Sequence, residues 1–335
     1  MNNFNDLLFN QLNEVSARLG NDFNIIQANG GNTSIKIDDY IFIKGSGKHL
    51  SRANRENIFA KVPLKNFSKN QLKLNIDNEF YIRPSIEQDL HKLISSKIVI
   101  HTHPIDIISL TMTLRGKKII FEALRGLNWI WIDYHKPGKE LANALKSKIS
   151  KKTNIIVLQN HGLVVGSDTP LNAEKLHSQI LEKIKTKVRR FKPKKMDILN
   201  YLLNDSELDF FLPEYEVVHS LATDPWSFKL IQMNPHCPDH AVFFGLKVPI
   251  ISKINRDLKE FKESIKELIK EFRYIVIKGI GVLILEKNKT LEVMLKTQAE
   301  IFLRIPEEEN VSLLTNEQCF ELINWEAEKL RKKQM

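Results

Sequence analysis

The sequence predicts an α/β fold, and three observations carry that expectation. Apolar residues recur at helical spacing in segments 5–20, 86–96 and 170–190. Runs rich in Ile and Val at 33–45, 97–102 and 154–166 read as strands. The two kinds of segment alternate along the chain, the signature of strands and helices packed in layers. With 335 residues, 42% of them hydrophobic, the chain can bury a sizeable core as one large domain or two medium ones.

The first helix, 5–20, places Leu8, Leu12, Val15 and Leu19 on one face. It lacks a basic segment followed by an apolar one, so it reads as an amphipathic helix and not a signal peptide. The strand region 33–45 is flanked by two glycine-rich turns, ANGGNTSIKI (28–37) and FIKGSGKHL (42–50). The helix of 86–96 is introduced by Pro84 and Ser85, with Glu87 in its first turn. Strand 97–102 runs into VIHTHPID, and strand 154–166 contains LQNHGLVVG. The helix of 170–190 opens on Asp168-Thr169-Pro170, a capping residue followed by proline in the first turn.

Between 185 and 200 the chain reads KTKVRRFKPKKMDILN, a basic run containing a proline. It is taken as an approximate boundary, giving expected domains at 1–195 and 196–335. The second carries DHAVFFG, a charged helix at 254–271, RYIVIKGIGVLILE and two further helices. An internal similarity links the two. NIIVLQNHGLVVG followed by a helix from Thr169 compares with YIVIKGIGVLILE followed by a helix from about Thr290. In that pairing His161 stands opposite Ile280. The C-terminal α/β extension is therefore expected to be a degenerate repeat that lacks the chemistry of the first domain.

The formal net charge of +10 comes without a helix-turn-helix, RNP-type or zinc-finger pattern. The chain is rich in Lys, Asn and Ile together, so the charge reads as compositional drift and no nucleic-acid partner is expected. No apolar stretch approaches the roughly 20 residues that span a bilayer, so no membrane partner is expected either. Two cysteines, Cys237 and Cys319, give no disulfide framework, and a cytoplasmic location is the expectation.

Residues i and i+2 of a strand share a face, so His101 and His103 can reach one ion without backbone distortion. Alone, the pair reads equally as a solvated strand end. His161 also stands where a strand meets a turn. Three histidines from two strand ends are the ligand set of a catalytic zinc with an open fourth position. Glu87, one helical turn before His91, reads from spacing alone as an ordinary first-turn glutamate. Either glycine-rich turn is an anion-binding nest or simply a tight turn. GSGK is not a P-loop, because Phe42 stands where the first glycine is required. MNPHCPDHAVF gathers His236, Cys237, Asp239 and His240, but its proline limits convergence on one ion, and it reads as a structural turn.

Taken in order, GGNTS, KGSG, RPSIE-x-x-x-H, HTHP and NHG resemble the class II aldolase/adducin family. The wording is nearest to the aldolase part of bacterial rhamnulose-phosphate aldolase/dehydrogenase fusion proteins. The resemblance covers about 28–170 and implies a three-layer αβα domain around a mainly antiparallel sheet. It implies a zinc or other divalent ion on His101, His103 and His161, with Glu87 as catalytic acid/base or as a fourth ligand. It implies that Asn32, Ser46, Gly47 and Ser85 contact the phosphate, or neighbouring oxygens, of a sugar-phosphate substrate. The implied reaction is reversible aldol cleavage of a ketose through an enediolate, with a Glu87 pKa raised by a dry pocket. Epimerisation, decarboxylation and dehydration start from the same site, and adducin-like members are non-catalytic interaction proteins. A homo-oligomer, a tetramer in relatives, is also implied. The chain departs from the shorter aldolases at Ile86, where they have a second serine, and at Lys44, where they have threonine, so the expectation is either that Lys44 or Lys48 helps hold the anion or that the anion is not a phosphate.

Overall fold

The computed structural model describes residues 3–65, 82–204, 209–252 and 258–326, with side chains left aside at 3, 258–262 and 264. These residues form two compact units, one reaching to Lys185 and resuming from Asn324, the other Thr186–Ile323.

The first unit opens with helix α1 (Asn3–Asn21). The segment expected as one strand at 33–45 is a hairpin, β1 (Asn32–Ile37) and β2 (Tyr40–Lys44), because Asp38 takes a left-handed turn conformation at φ 52°. Strand β3 (Phe59–Pro63) pairs with β2. Helix α2 is shorter than expected, Gln88–Leu93, with Glu87 at its N-cap and not inside it. It leads to β4 (Ile98–Thr102), α3 (Ile105–Thr111), α4 (Leu114–Ala123), β5 (Trp129–Ile132) and α5 (Lys139–Lys146). Segment 154–166 is again a hairpin, β6 (Ile155–Leu158) and β7 (Gly162–Ser167), followed by α6 (Pro170–Ile184). The Thr169 hydroxyl accepts from the amide of Asn172, capping α6 as the sequence predicts.

The seven strands lie in the order β3-β2-β1-β4-β7-β6-β5, antiparallel except for the β5–β6 pair. Strict alternation sorts their side chains onto two faces. Ile98, Ile100, Ile155, Val157, Leu163 and Val165 meet α1 and α6 on one side. Val99, Ile156, Leu158 and Val164 meet Leu90 of α2 and Leu141 and Leu145 of α5 on the other. This is the three-layer αβα arrangement around a mainly antiparallel sheet. Burial of α1's leucines contributes about 1.5–3 kcal/mol per side chain. Parity also decides the site: His101, two residues after Val99, faces the α2 layer.

The second unit contains α7 (Met196–Leu203), α8 (Ser220–Thr223), α9 (Pro225–Ile231), α10 (Pro238–Phe244), β8 (Ile250–Ile251), α11 (Leu258–Glu271), β9 (Tyr274–Ile277), β10 (Gly281–Ile284) and α12 (Lys289–Arg304). Helix α13 (Asn316–Asn324) ends at the boundary between the units. Its three-stranded sheet runs β10-β9-β8. Leu199, Leu202, Ile265, Ile275, Ile277 and Leu283 form its core. Among the described residues no helix is long and apolar enough to cross a membrane.

Candidate metal centre

His101 ends β4, His103 follows two residues on, and His161 closes the turn between β6 and β7. Strand β7 pairs directly with β4, His101 opposite Val164, so the turn carrying His161 lies beside the histidine pair. Gly162 makes that approach possible: a Cβ there would stand 2.2 Å from the carbonyl oxygen of Thr102. The three rings pack with centroids 4.9, 4.9 and 5.0 Å apart. One nitrogen from each lies within 4.8 Å of the others, and all three residues are buried. No other such group of His, Cys, Asp or Glu occurs among the described residues, so the segment of His236, Cys237, Asp239 and His240 does not converge as a metal site.

Two features suit this cluster to a divalent ion. The Nδ1 of His101 is 3.1 Å from the carbonyl oxygen of Leu163, an acceptor only, so Nδ1 carries the proton and Nε2 presents its lone pair. The spacing also fits. Ligands of a tetrahedral zinc, at about 2.0–2.1 Å, stand about 3.3 Å from one another. The Nε2 atoms of His101 and His103 are 3.2 Å apart. Glu87 completes the set, with Oε2 3.3 Å from Nε2 of His101 and Oε1 3.5 Å from Nε2 of His161.

Glu87 is held from two sides. Asn32 donates through Nδ2 to its Oε2 at 2.8 Å, and its own amide donates to the hydroxyl of Ser85 at 3.2 Å. Asn32 stands opposite His101 in the β1–β4 ladder, which brings the amide to the carboxylate. Burial works to raise the Glu87 pKa, but the imidazoles of His101, His161 and His103 and the Asn32 bond outweigh it and bring it down to about 2. The pocket is dry, but it is lined with groups that favour the anion.

Of the residues expected at an anion, Asn32 and Ser85 direct polar atoms to Glu87. Ser46 and Gly47 are half-buried, and Ser46 is tied through its amide to the carbonyl of Arg83 at 2.8 Å. Lys44 is buried, and its ammonium donates to the carbonyls of Asn29 at 2.6 Å and Lys48 at 3.0 Å, joining the two glycine-rich turns. Sequence reasoning misses the layer behind the ligands. The Thr102 hydroxyl meets Nε2 of His177 on α6 at 2.8 Å, and burial pulls the His177 pKa down to about 4. His177 lies at core spacing within α6, beside Ala173 and Ile180, and that spacing is its only signal.

The model for the "Class II Aldolase and Adducin N-terminal domain" matches residues 10–186. A curated protein of Bacillus subtilis (strain 168), "Uncharacterized oxidoreductase YuxG", is 23% identical over 305 residues, 76% of this chain and 44% of that protein. The chain thus spans less than half the length of this relative. The N-terminal class II aldolase domain of a conserved Thermoplasma acidophilum protein is 25% identical, with TM-score 0.44, covering 52% of this chain and 91% of that one. An l-fuculose-1-phosphate aldolase from Thermus thermophilus is 17% identical, with TM-score 0.38, covering 52% and 92%.

Proposed function

The chain belongs to the class II aldolase and adducin family, and from that premise we propose that it is a zinc-dependent aldehyde-lyase that reversibly cleaves a ketose phosphate. The observation that carries this reading is the meeting of His101, His103 and His161 with the carboxylate of Glu87. A divalent ion held by the three imidazoles supplies Lewis-acid stabilisation of charge developing on a substrate carbonyl, worth several kcal/mol. The chain's own residues supply the rest. Leu163 fixes the His101 tautomer. Asn32 and the Ser85 hydroxyl aim Glu87, whose carboxylate is ionised at neutral pH and accepts a proton from the carbon beside that carbonyl. Gly47 and the turn around Asn29, braced by Lys44, offer main-chain N–H groups to the substrate's phosphate, and Ser46 offers its hydroxyl. A homo-oligomer belongs to the same reading, and light scattering after gel filtration measures it.

The test is metal analysis of the purified chain, followed by a screen of ketose 1-phosphates for dihydroxyacetone phosphate release. Proton exchange is the finer measurement. The zinc-loaded wild type exchanges a carbon-bound proton of dihydroxyacetone phosphate in deuterated water. Glu87→Gln keeps its zinc and loses at least about a hundredfold of that exchange. Exchange at the wild-type rate in Glu87→Gln would exclude Glu87 as the base. Exchange without cleavage of any ketose phosphate would favour epimerisation, decarboxylation or dehydration at the same site. Zinc bound with neither exchange nor cleavage would favour an adducin-like interaction protein.

A further inference from the structure

Strand β1 and helix α2 meet through a ladder of three polar rungs. Asn32, Ser34 and Lys36 share one face of β1, since alternate strand residues point the same way. Asn32 holds Glu87. The Ser34 hydroxyl meets Nδ1 of His91 at 2.7 Å. The Lys36 ammonium donates to the carbonyls of Ile94 at 2.6 Å and Ser96 at 2.7 Å. Two strand residues rise about 6.6 Å, and four helical residues about 6 Å, so successive rungs stay in step. The amide of His91 also donates to the carbonyl of Glu87 at 3.3 Å, closing the first turn. The roll of α2 about its axis therefore sets where the Glu87 carboxylate lies, and the middle rung sets the roll.

His91 is an expensive way to make that contact. It is fully buried, and its Nε2 finds no hydrogen-bond partner among the described residues. A leucine in place of His91, with Ser34 also replaced by alanine, would fill the core between α2 and the sheet with no orphaned polar atom. A buried polar group left unsatisfied calls for a reason other than stability.

We infer that the Ser34–His91 pair is a positioning device for Glu87, keeping its carboxylate at the open side of the three imidazoles. The inference rests on the metal-site reading above. Outer contacts that orient a metal's surroundings change affinity or activity about 10–100-fold when removed.

The test uses the full chain as Ser34→Ala, His91→Leu, His91→Asn and the double variant Ser34→Ala/His91→Leu. The readouts are zinc affinity by chelator competition, melting of the zinc-free protein, and proton exchange on dihydroxyacetone phosphate. Ser34→Ala and His91→Leu each bind zinc about tenfold more weakly or lose about tenfold in exchange rate, with KM for dihydroxyacetone phosphate unchanged. The double variant is no worse than either single one, because both remove the same bond. Asn places an amide nitrogen near the position of Nδ1, so His91→Asn restores function. The zinc-free double variant Ser34→Ala/His91→Leu melts no lower than the wild type. Wild-type affinity and exchange in both single variants would overturn the inference, and so would a loss that His91→Asn shares while melting falls in step. A wild type that takes up no zinc would sink the metal reading instead. The melting comparison would then still decide whether His91 is kept at a cost to stability.

Discussion

The β6–β7 hairpin and the β9–β10 hairpin follow one plan and end in different chemistry. Leu158 pairs with Gly162 and Ile277 with Gly281, so three residues form each turn. Both strands entering a hairpin lie parallel to a strand twenty-six positions earlier, Trp129 with Ile155 and Ile250 with Val276. Both following helices open at the twelfth residue after the paired strand end, at Pro170 and Lys289. Each is capped by a side chain, Thr169 in one and Asn288 in the other. This agreement supports reading the second unit as a degenerate repeat of the first. The third turn residue is His161 in one and Ile280 in the other, and with it goes the third imidazole of the cluster.

A second contrast is finer. The fifth residue after the paired strand end meets a histidine in both units. In the first, the carbonyl of Leu163 accepts from Nδ1 of His101, which leaves the Nε2 lone pair facing the other imidazoles of the cluster. In the second, the amide of Val282 donates to Nδ1 of His219 at 3.1 Å. That places the proton of His219 on Nε2, the opposite tautomer, with no lone pair to offer there. A peptide group presenting N–H where its counterpart presents C=O separates a ligand from a structural imidazole.

The largest expected effect follows from the turn residue. His161→Ala lowers zinc affinity by at least about a hundredfold, because a ligand is lost and not merely an outer contact. Ile280→His restores the residue but creates no metal site, since the neighbouring tautomer is wrong and no histidine pair stands beside it. Zinc stoichiometry of the two variants measures both. An additional zinc bound by Ile280→His would break the comparison. Long-range proton–nitrogen correlation spectra of the zinc-free protein sharpen it, showing His101 protonated at Nδ1 and His219 at Nε2.

Much of this site is legible in the sequence, because its main signals are periodic. The i, i+2 rule puts His101 and His103 on one face, and the apolar run before His161 places it at a strand end. The shared plan of the two hairpins is legible for the same reason. The groups that choose between tautomers are not, being backbone atoms of Leu163 and Val282 brought near by strand order. The rungs Asn32–Glu87 and Ser34–His91 depend on β1 lying beside β4, which no local pattern states. Periodicity overstates helix α2, since its apolar spacing continues through Ile94 after the backbone has already turned extended there, at ψ 128°. A dry pocket alone points the Glu87 pKa the wrong way, because the imidazoles that line it come from strands distant in sequence.

A smaller effect is expected in acid, where burial opposes protonation of histidines in both units, His177 in the first and His219 in the second. Burial lowers the His219 pKa to about 4 from an ordinary 6.5, opposed by Glu216 and assisted by Lys194. The unfolded chain then takes up this proton first as pH falls. Stability conferred by the second unit is therefore lost between about pH 6.5 and 4, at up to about 1.4 kcal/mol per pH unit for one proton. His236, brought to about 3, and His240, brought to about 4, act in the same direction. His219→Asn keeps an acceptor for Val282 but does not titrate, so denaturant midpoints measured from about pH 7 to 4.5 fall less steeply than in the wild type. An unchanged slope would mean that His219 is protonated in the folded protein.

The smallest effect lies at the middle of each turn, where the backbone takes the left-handed conformation, Asn160 at φ 55° and Gly279 at φ 69°. Nothing lies within 4 Å of a Cβ built on Gly279, so Gly279→Ala costs only the backbone term, about 1–2 kcal/mol. Asparagine tolerates this region better than most residues, and the Asn160 amide is held by the Thr111 hydroxyl at 3.1 Å. Asn160→Gly should therefore change stability by only about 0.5 kcal/mol, relief of strain being offset by the greater freedom of the unfolded chain. Equal losses in the two variants, read from denaturant midpoints, would show that Asn160 contributes more than a backbone conformation. Its side chain would then have to be counted with the site it adjoins, and the contrast between the two turns would extend from the third residue to the middle one.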